Sequence, residues 1–154
     1  MAGFQTGDLI PDKDIKVRVR LDIKGTSKPG RFLFGGKPMD KVAEDAREQQ
    51  VTLLRNVPVQ GIHIDNIDIG MDIYTIVDDL NNQEVAYAPL TIEATADTIK
   101  ELIKLITRED FRKIEVLSPS TLTLHHYDIE RLLFRIAEEF KNYRTQLERK
   151  HNLR

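Results

Sequence analysis

Acid–base side chains gather at one place in this chain, "HHYD": His125, His126, Tyr127 and Asp128. Imidazole and carboxylate groups move protons near neutral pH and ligate zinc and other transition metals. Two chemical readings follow. In one, His125, His126 and Asp128 serve a small hydrolase-type or metal-dependent enzyme. In the other, His63, Asp68 and His125 hold a metal ion. The spacing argues against both. Adjacent histidines on a helix point about 100° apart, and the tetrad is not the H-E-x-x-H pattern of a zinc helix. The competing reading makes Asp128 a helix-start residue that satisfies free backbone N–H donors.

Residues 62–79, "IHIDNIDIGMDIYTIVDD", set an acidic row in an isoleucine-rich run. If 67–77 is one strand, Asp68 and Asp72 share a side and lie about 13 Å apart at ~3.3 Å per residue. One ion cannot bridge that span, because oxygen ligands sit within ~2.0–2.6 Å of a cation. The row is therefore expected to be a solvated or ion-paired strand face. Lys16, Arg18 and Arg20 supply a counterpart on the first strand. Across one sheet face, such pairs contribute ~0.2–1 kcal/mol each, and the patterned face also suits docking on a symmetry mate.

A third candidate is "KPGRFLFGGKP", which carries Lys28, Arg31 and Lys37 on a glycine-rich loop leading into a helix. Flexible glycines and a helix N-terminus favour a small anionic ligand. The loop matches neither the G-x-x-x-x-G-K-[ST] nor the G-x-G-x-x-G phosphate motif. Phe32 and Phe34 within it are read as core residues.

Composition excludes much. The 154 residues suit one domain spanning 1–154. No cysteine is present, so disulfides, thiolate nucleophiles and Cys-ligated metals are out. A net charge of -2 gives no global attraction to nucleic acid or an anionic membrane. Single-stranded nucleic acid would also need exposed aromatics on a sheet, and the outward row of the first strand has none. No apolar run approaches the ~18 residues of a membrane span. "MAGFQTGDLIPDKD" lacks an apolar core, so no secretory leader is expected and the cytoplasm is the expected compartment. No cofactor is expected.

The elements that must position these residues follow from periodicity. After a loose segment over 1–14, "IKVRVRLDI" (15–23) alternates strictly and is a strand. Helical spacing of Met39, Val42, Ala43, Ala46, Gln50, Leu53, Leu54 and Val57 predicts a helix over 39–55, ended by Pro58. Residues 59–78 read as strand, and a phase slip at Asp65–Asn66 predicts a β-bulge. Asn82 suits a left-handed turn position. The strand over 84–94 contains Pro89, which predicts an edge or irregular position. A helix beginning near Asp97 should bury Ile99, Leu102, Ile103 and Ile106. Residues 112–118 form a short strand.

The last helix, 124–150, carries Ile129, Leu133, Ile136, Phe140, Tyr143 and Leu147 at steps of 4, 3, 4, 3 and 4, a coiled-coil-like seam of roughly 27 Å at ~1.5 Å per residue. The sheet is expected to cover its first half. The predicted fold class is α+β, with a βαββαβ core over 15–123 in ferredoxin-like (split βαβ) order, an antiparallel sheet, two covering helices and this additional long helix. The function that best fits is a non-catalytic homo-oligomeric binding or scaffolding module, self-associating through the last helix and the sheet face.

Overall fold

The computed structural model describes residues 14–25 and 38–152. The lead-in over 1–13, the basic loop residues Lys28, Arg31 and Lys37, and Phe32 and Phe34 lie outside them. The architecture is α+β. Strand β1 (Ile15–Lys24) is followed by helix α1 (Met39–Asn56) and by strands β2 (Ile62–Asp68), β3 (Tyr74–Val77) and β4 (Glu84–Ala96). A 3-10 turn, Ile99–Leu102, runs into the short helix α2 (Ile103–Ile106), then come strand β5 (Phe111–Ser118) and helix α3 (His126–Asn152). All pairings are antiparallel, in the order β2-β4-β1-β5, with β3 pairing the other half of β4.

Strict alternation makes β1 the spine of the core. Ile15, Val17, Val19 and Leu21 are fully buried, while Lys16 and Arg18 are exposed on the other face. Their partners Ala96, Ala94, Ile92 and Leu90 on β4 lie on the same inner face. Leu54 of α1 together with Leu102 and Leu105 closes the layer above. Small residues let α1 approach: Ala43 packs on Ala86 and Ala88, and a Cβ on Gly25 would meet the Ala43 backbone at 2.7 Å. Gly61 (φ +79°) turns the chain into β2 against Glu101, where no side chain fits.

Several elements differ from their periodicity. Pro89 is neither at an edge nor peripheral: β4 is central and thirteen residues long, with Pro89 fully buried and opposite Asp22. The sheet accommodates it by breaking on the other side. Residues 69–73, between β2 and β3, leave the ladder opposite Pro89 unpaired. Thus 67–77 is not one strand. The missing N–H of proline points into this break, and the Arg47 Nη1 group fills it, donating to Pro89 O at 3.0 Å and Met71 O at 3.1 Å.

The second helix is also shorter than periodicity predicts. Its tighter 3-10 entry rotates the face, so Leu105 is buried and Ile106 is not. In α1 the buried face runs through Ala43, Arg47 and Leu54, whereas Leu53 and Val57 are exposed. Finally, α3 does not lie on the sheet. It leans on the Ile99–Leu102 turn, Leu132 and Ile136 are half-buried, and none of its residues is buried. The phase slip at Asp65, by contrast, is present as a register shift between Ile64 and Asn66, and Asn82 has φ 58°.

Candidate functional site: the open sheet face and helix α3

Among the described residues, helices cover only the inner face of the sheet. The outer face carries, across the strands, Lys16, Arg18, Arg20 and Asp22 of β1, Glu93, Thr95 and Tyr87 of β4, Lys113 and Glu115 of β5, and Tyr74 of β3. Arg18 pairs with Glu93 at 3.0 Å and Glu115 at 3.4 Å. The anions opposite the basic row therefore come from β4 and β5, not from residues 62–79. The cause is topological. β4 inserts between β1 and β2, putting the two expected rows about 10 Å apart at ~4.8 Å per strand. Asp65 instead accepts the Thr95 hydroxyl at 2.7 Å and lies 3.5 Å from His63 Nε2, and Asp68 accepts the Gly70 N–H at 2.8 Å. The Arg18 guanidinium is raised above its ordinary value, chiefly by its hydrogen bond to Glu93, and Glu115 is lowered, chiefly by its bond from Lys113.

At the other end of this face sits a polar cluster whose members come from β1, β3, β4 and β5 and lie far apart in the sequence. Asp22 is 2% exposed. Its carboxylate accepts Arg20 Nε at 2.8 Å and Nη2 at 3.2 Å, and the Tyr74 hydroxyl at 2.5 Å, with Arg112 Nε 3.6 Å away. Tyr74 stacks on Tyr87 at 5.4 Å, and Arg112 lies over the Tyr87 ring. Burial, then the bond to Asp22, holds the Tyr74 phenol above the usual tyrosine range. Every charge in the cluster is answered, which makes it a rigid, mixed aromatic and ionic surface with no free base or nucleophile. The alternation of Tyr87 with Pro89 and Thr91 was the signal for it, since odd residues of β4 all face outward.

The histidine tetrad has a local structural role. The His125 N–H donates to Asp128 Oδ2 at 3.0 Å and Asp128 N–H returns to His125 O at 3.0 Å, the reciprocal geometry of a helix start. His125 and His126 both pack on Tyr127, and His126 lies 3.8 Å from Glu130. His63 sits on β2 beside Asp65. Among the described residues, no group of three His, Asp or Glu side chains could hold a metal ion, so His63, Asp68 and His125 are not brought together.

Helix α3 is the larger feature. Ile129, Leu133, Phe140, Tyr143 and Leu147 of the seam are all exposed, Phe140 to 69%. A groove of about 480 Å³ runs beside the seam between α3 and α2, lined by Ile103, Ile106, Ile136, Phe140 and Tyr143 among others. Among the described residues no helix is long and apolar enough to cross a membrane. Comparisons with protein-family models, with curated proteins and with solved structures find no match.

Proposed function

We propose that the chain is a non-catalytic, self-associating binding module, with α3 as its assembly surface and the outer sheet face as its binding surface. The observation that carries this reading is the exposed seam: a 27-residue helix with no buried residue and large apolar side chains at heptad spacing. Monomeric proteins rarely leave contiguous apolar surface of this kind to water. Two further features support it. Asp128, the one carboxylate of the histidine tetrad, is used to start a helix. On the outer face, Arg18, Arg20, Asp22, Glu93, Lys113, Glu115 and the Tyr74 hydroxyl are all tied into ion pairs or hydrogen bonds, leaving shape and charge pattern as what it offers a partner.

The same reading covers finer points. We treat β2 and β3 as two halves of one strand interrupted opposite Pro89. On that view the order of the four resulting strands is that of a split βαβ sandwich, within one domain of 154 residues. Lys28, Arg31 and Lys37 remain the proposed site for a small anionic ligand, and the cytoplasm the proposed compartment.

The test compares the unmodified chain with the double variant Leu133→Glu, Phe140→Glu by size-exclusion chromatography with light scattering. The unmodified chain should elute with the mass of an oligomer and the variant with that of a monomer, both with the same far-ultraviolet circular dichroism at the sheet. Equal masses for the two would remove α3 as the assembly surface.

A further inference from the structure

We infer that the occupant of the α3 seam is the α3 helix of a second copy, running antiparallel, with Arg144 of each copy paired to Glu130 of the other. This rests on the self-association reading above and adds its geometry.

With Leu133, Phe140 and Leu147 at a and Ile129, Ile136 and Tyr143 at d, a two-fold axis crossing the helix near residue 138 places Leu133 against the partner's Tyr143. The same axis sets Ile136 against Phe140 and Ile129 against Leu147. Each layer then opposes two different apolar side chains, with each aromatic meeting a branched aliphatic one. A parallel pairing would stack like on like, Phe140 on Phe140 and Tyr143 on Tyr143 in successive layers, crowding the two widest residues together and inviting overpacking.

Charge decides in the same direction. Residues at e flank the seam: Glu130, Ala137 and Arg144. In an antiparallel pair e meets e, so Glu130 faces Arg144 twice, once on each side of the axis. In a parallel pair g meets e, so Arg144 would face Glu139. Glu139 is already engaged by Arg135 at 2.7 Å. Glu130 has only His126, at 3.8 Å, and Arg144 makes no ion pair in the monomer among the described residues. The unpaired cation thus meets a carboxylate not held by an arginine or lysine only in the antiparallel arrangement. There Glu139 meets its own copy at g, and the Arg135 contact neutralises each of them.

The groove between α2 and α3 agrees. Ile136, Phe140 and Tyr143 belong both to it and to the seam, so a helix laid on the seam also closes the open side of the groove over Ile103 and Ile106. Parallel helices would bring the two sheet domains, both attached at the first half of α3, to the same end. Antiparallel helices set them at opposite ends.

The chain has no cysteine, so single introduced thiols report unambiguously. Ile129→Cys and Leu147→Cys are prepared separately, checked for unchanged circular dichroism and mass, and oxidised alone and mixed. The mixture should give a disulfide-linked heterodimer, and neither variant alone should cross-link. Cross-linking of each variant with itself shows a parallel pair and overturns the inference while leaving self-association standing. A dimeric mass with no cross-link in any arm places the interface elsewhere and overturns it too. A monomeric mass for the unmodified chain removes the underlying reading as well. Charge reversal is the second readout. Arg144→Glu should weaken the dimer roughly 2- to 30-fold, as two symmetric exposed ion pairs would. Adding Glu130→Arg to the same chain should restore it. Restoration by Glu139→Arg instead would contradict the stated pairing.

Discussion

Asp22 and Arg47 are the two charged side chains buried among the described residues, and they do different work beside Pro89. Arg47 stands in for ladder hydrogen bonds that proline cannot make. Replacing it with Met keeps the volume but leaves the carbonyls of Pro89 and Met71 without its donor, at about 1–3 kcal/mol for each one left unpaired. The expected result is a lower Tm and faster amide exchange across Tyr74–Val77, with β1 amides unchanged. Unchanged exchange in that segment would show that Arg47 does not close the break.

Asp22 acts through Tyr74. Because the phenol is raised, its contribution to stability is fully present below the ordinary tyrosine value of about 10 and is lost as pH rises through the folded value. The chain has four tyrosines and no tryptophan, so tyrosinate absorbance can be followed cleanly. Tyr74→Phe should remove the latest-ionising step, and Asp22→Asn should move that step toward the ordinary value. A charge on the apolar stripe of α1 was the sequence signal for Arg47, because a cation between Ala43 and Leu54 needs an acceptor inside. No comparable signal marked Asp22, since its neighbours Arg20 and Lys24 share its face and are far more exposed.

The strands and helices that depend on local pattern were legible. Alternation gave β1 to within a residue, Pro58 marked the end of α1 near Asn56, and the phase slip at Asp65 located the bulge. What pattern could not give was pairing. Proline at 89 argues for an edge only if its neighbour needs an N–H from it. The Asp22 N–H instead donates to Asp110 O at 2.8 Å, on the β5 side, so the proline costs β1 nothing. Helix α2 shortened because its burial is set by Leu102, Ile103 and Leu105 beneath α3, a tertiary constraint absent from its own spacing.

For α3 the seam was readable and its covering was not: the sheet was expected under its first half, yet the Ile99–Leu102 turn is what touches it. Since no residue of α3 is buried, Leu133→Glu in the dilute monomer should change core stability by no more than about 0.5 kcal/mol, as surface substitutions do. At higher protein concentration the unmodified chain should melt later than the variant, because assembly binds only the folded state. Thermal melts at two concentrations separate these effects, and concentration-independent melting of the unmodified chain would count against assembly.

Taken whole, the molecule divides its surface between two faces of unlike character. The outer sheet face is charged and aromatic, with its carboxylates Asp22, Glu93 and Glu115 all paired to cations of the same face. The seam of α3 is apolar and unsatisfied, flanked by Arg144 and Glu130, which cannot reach each other within one copy, being fourteen residues apart on one helix and roughly 21 Å at ~1.5 Å per residue. Heavy bias of one charge sign is absent, with 23 basic and 25 acidic residues, so association should be governed by the apolar seam and only modestly by salt. Raising ionic strength to molar levels should therefore leave the assembly largely intact, whereas an interface formed through the outer ionic face would dissociate. Sedimentation equilibrium of the unmodified chain in the micromolar range measures the assembly directly. The expected result is twice the monomer mass, falling toward the monomer only on dilution. A single species of monomer mass across that range would contradict it.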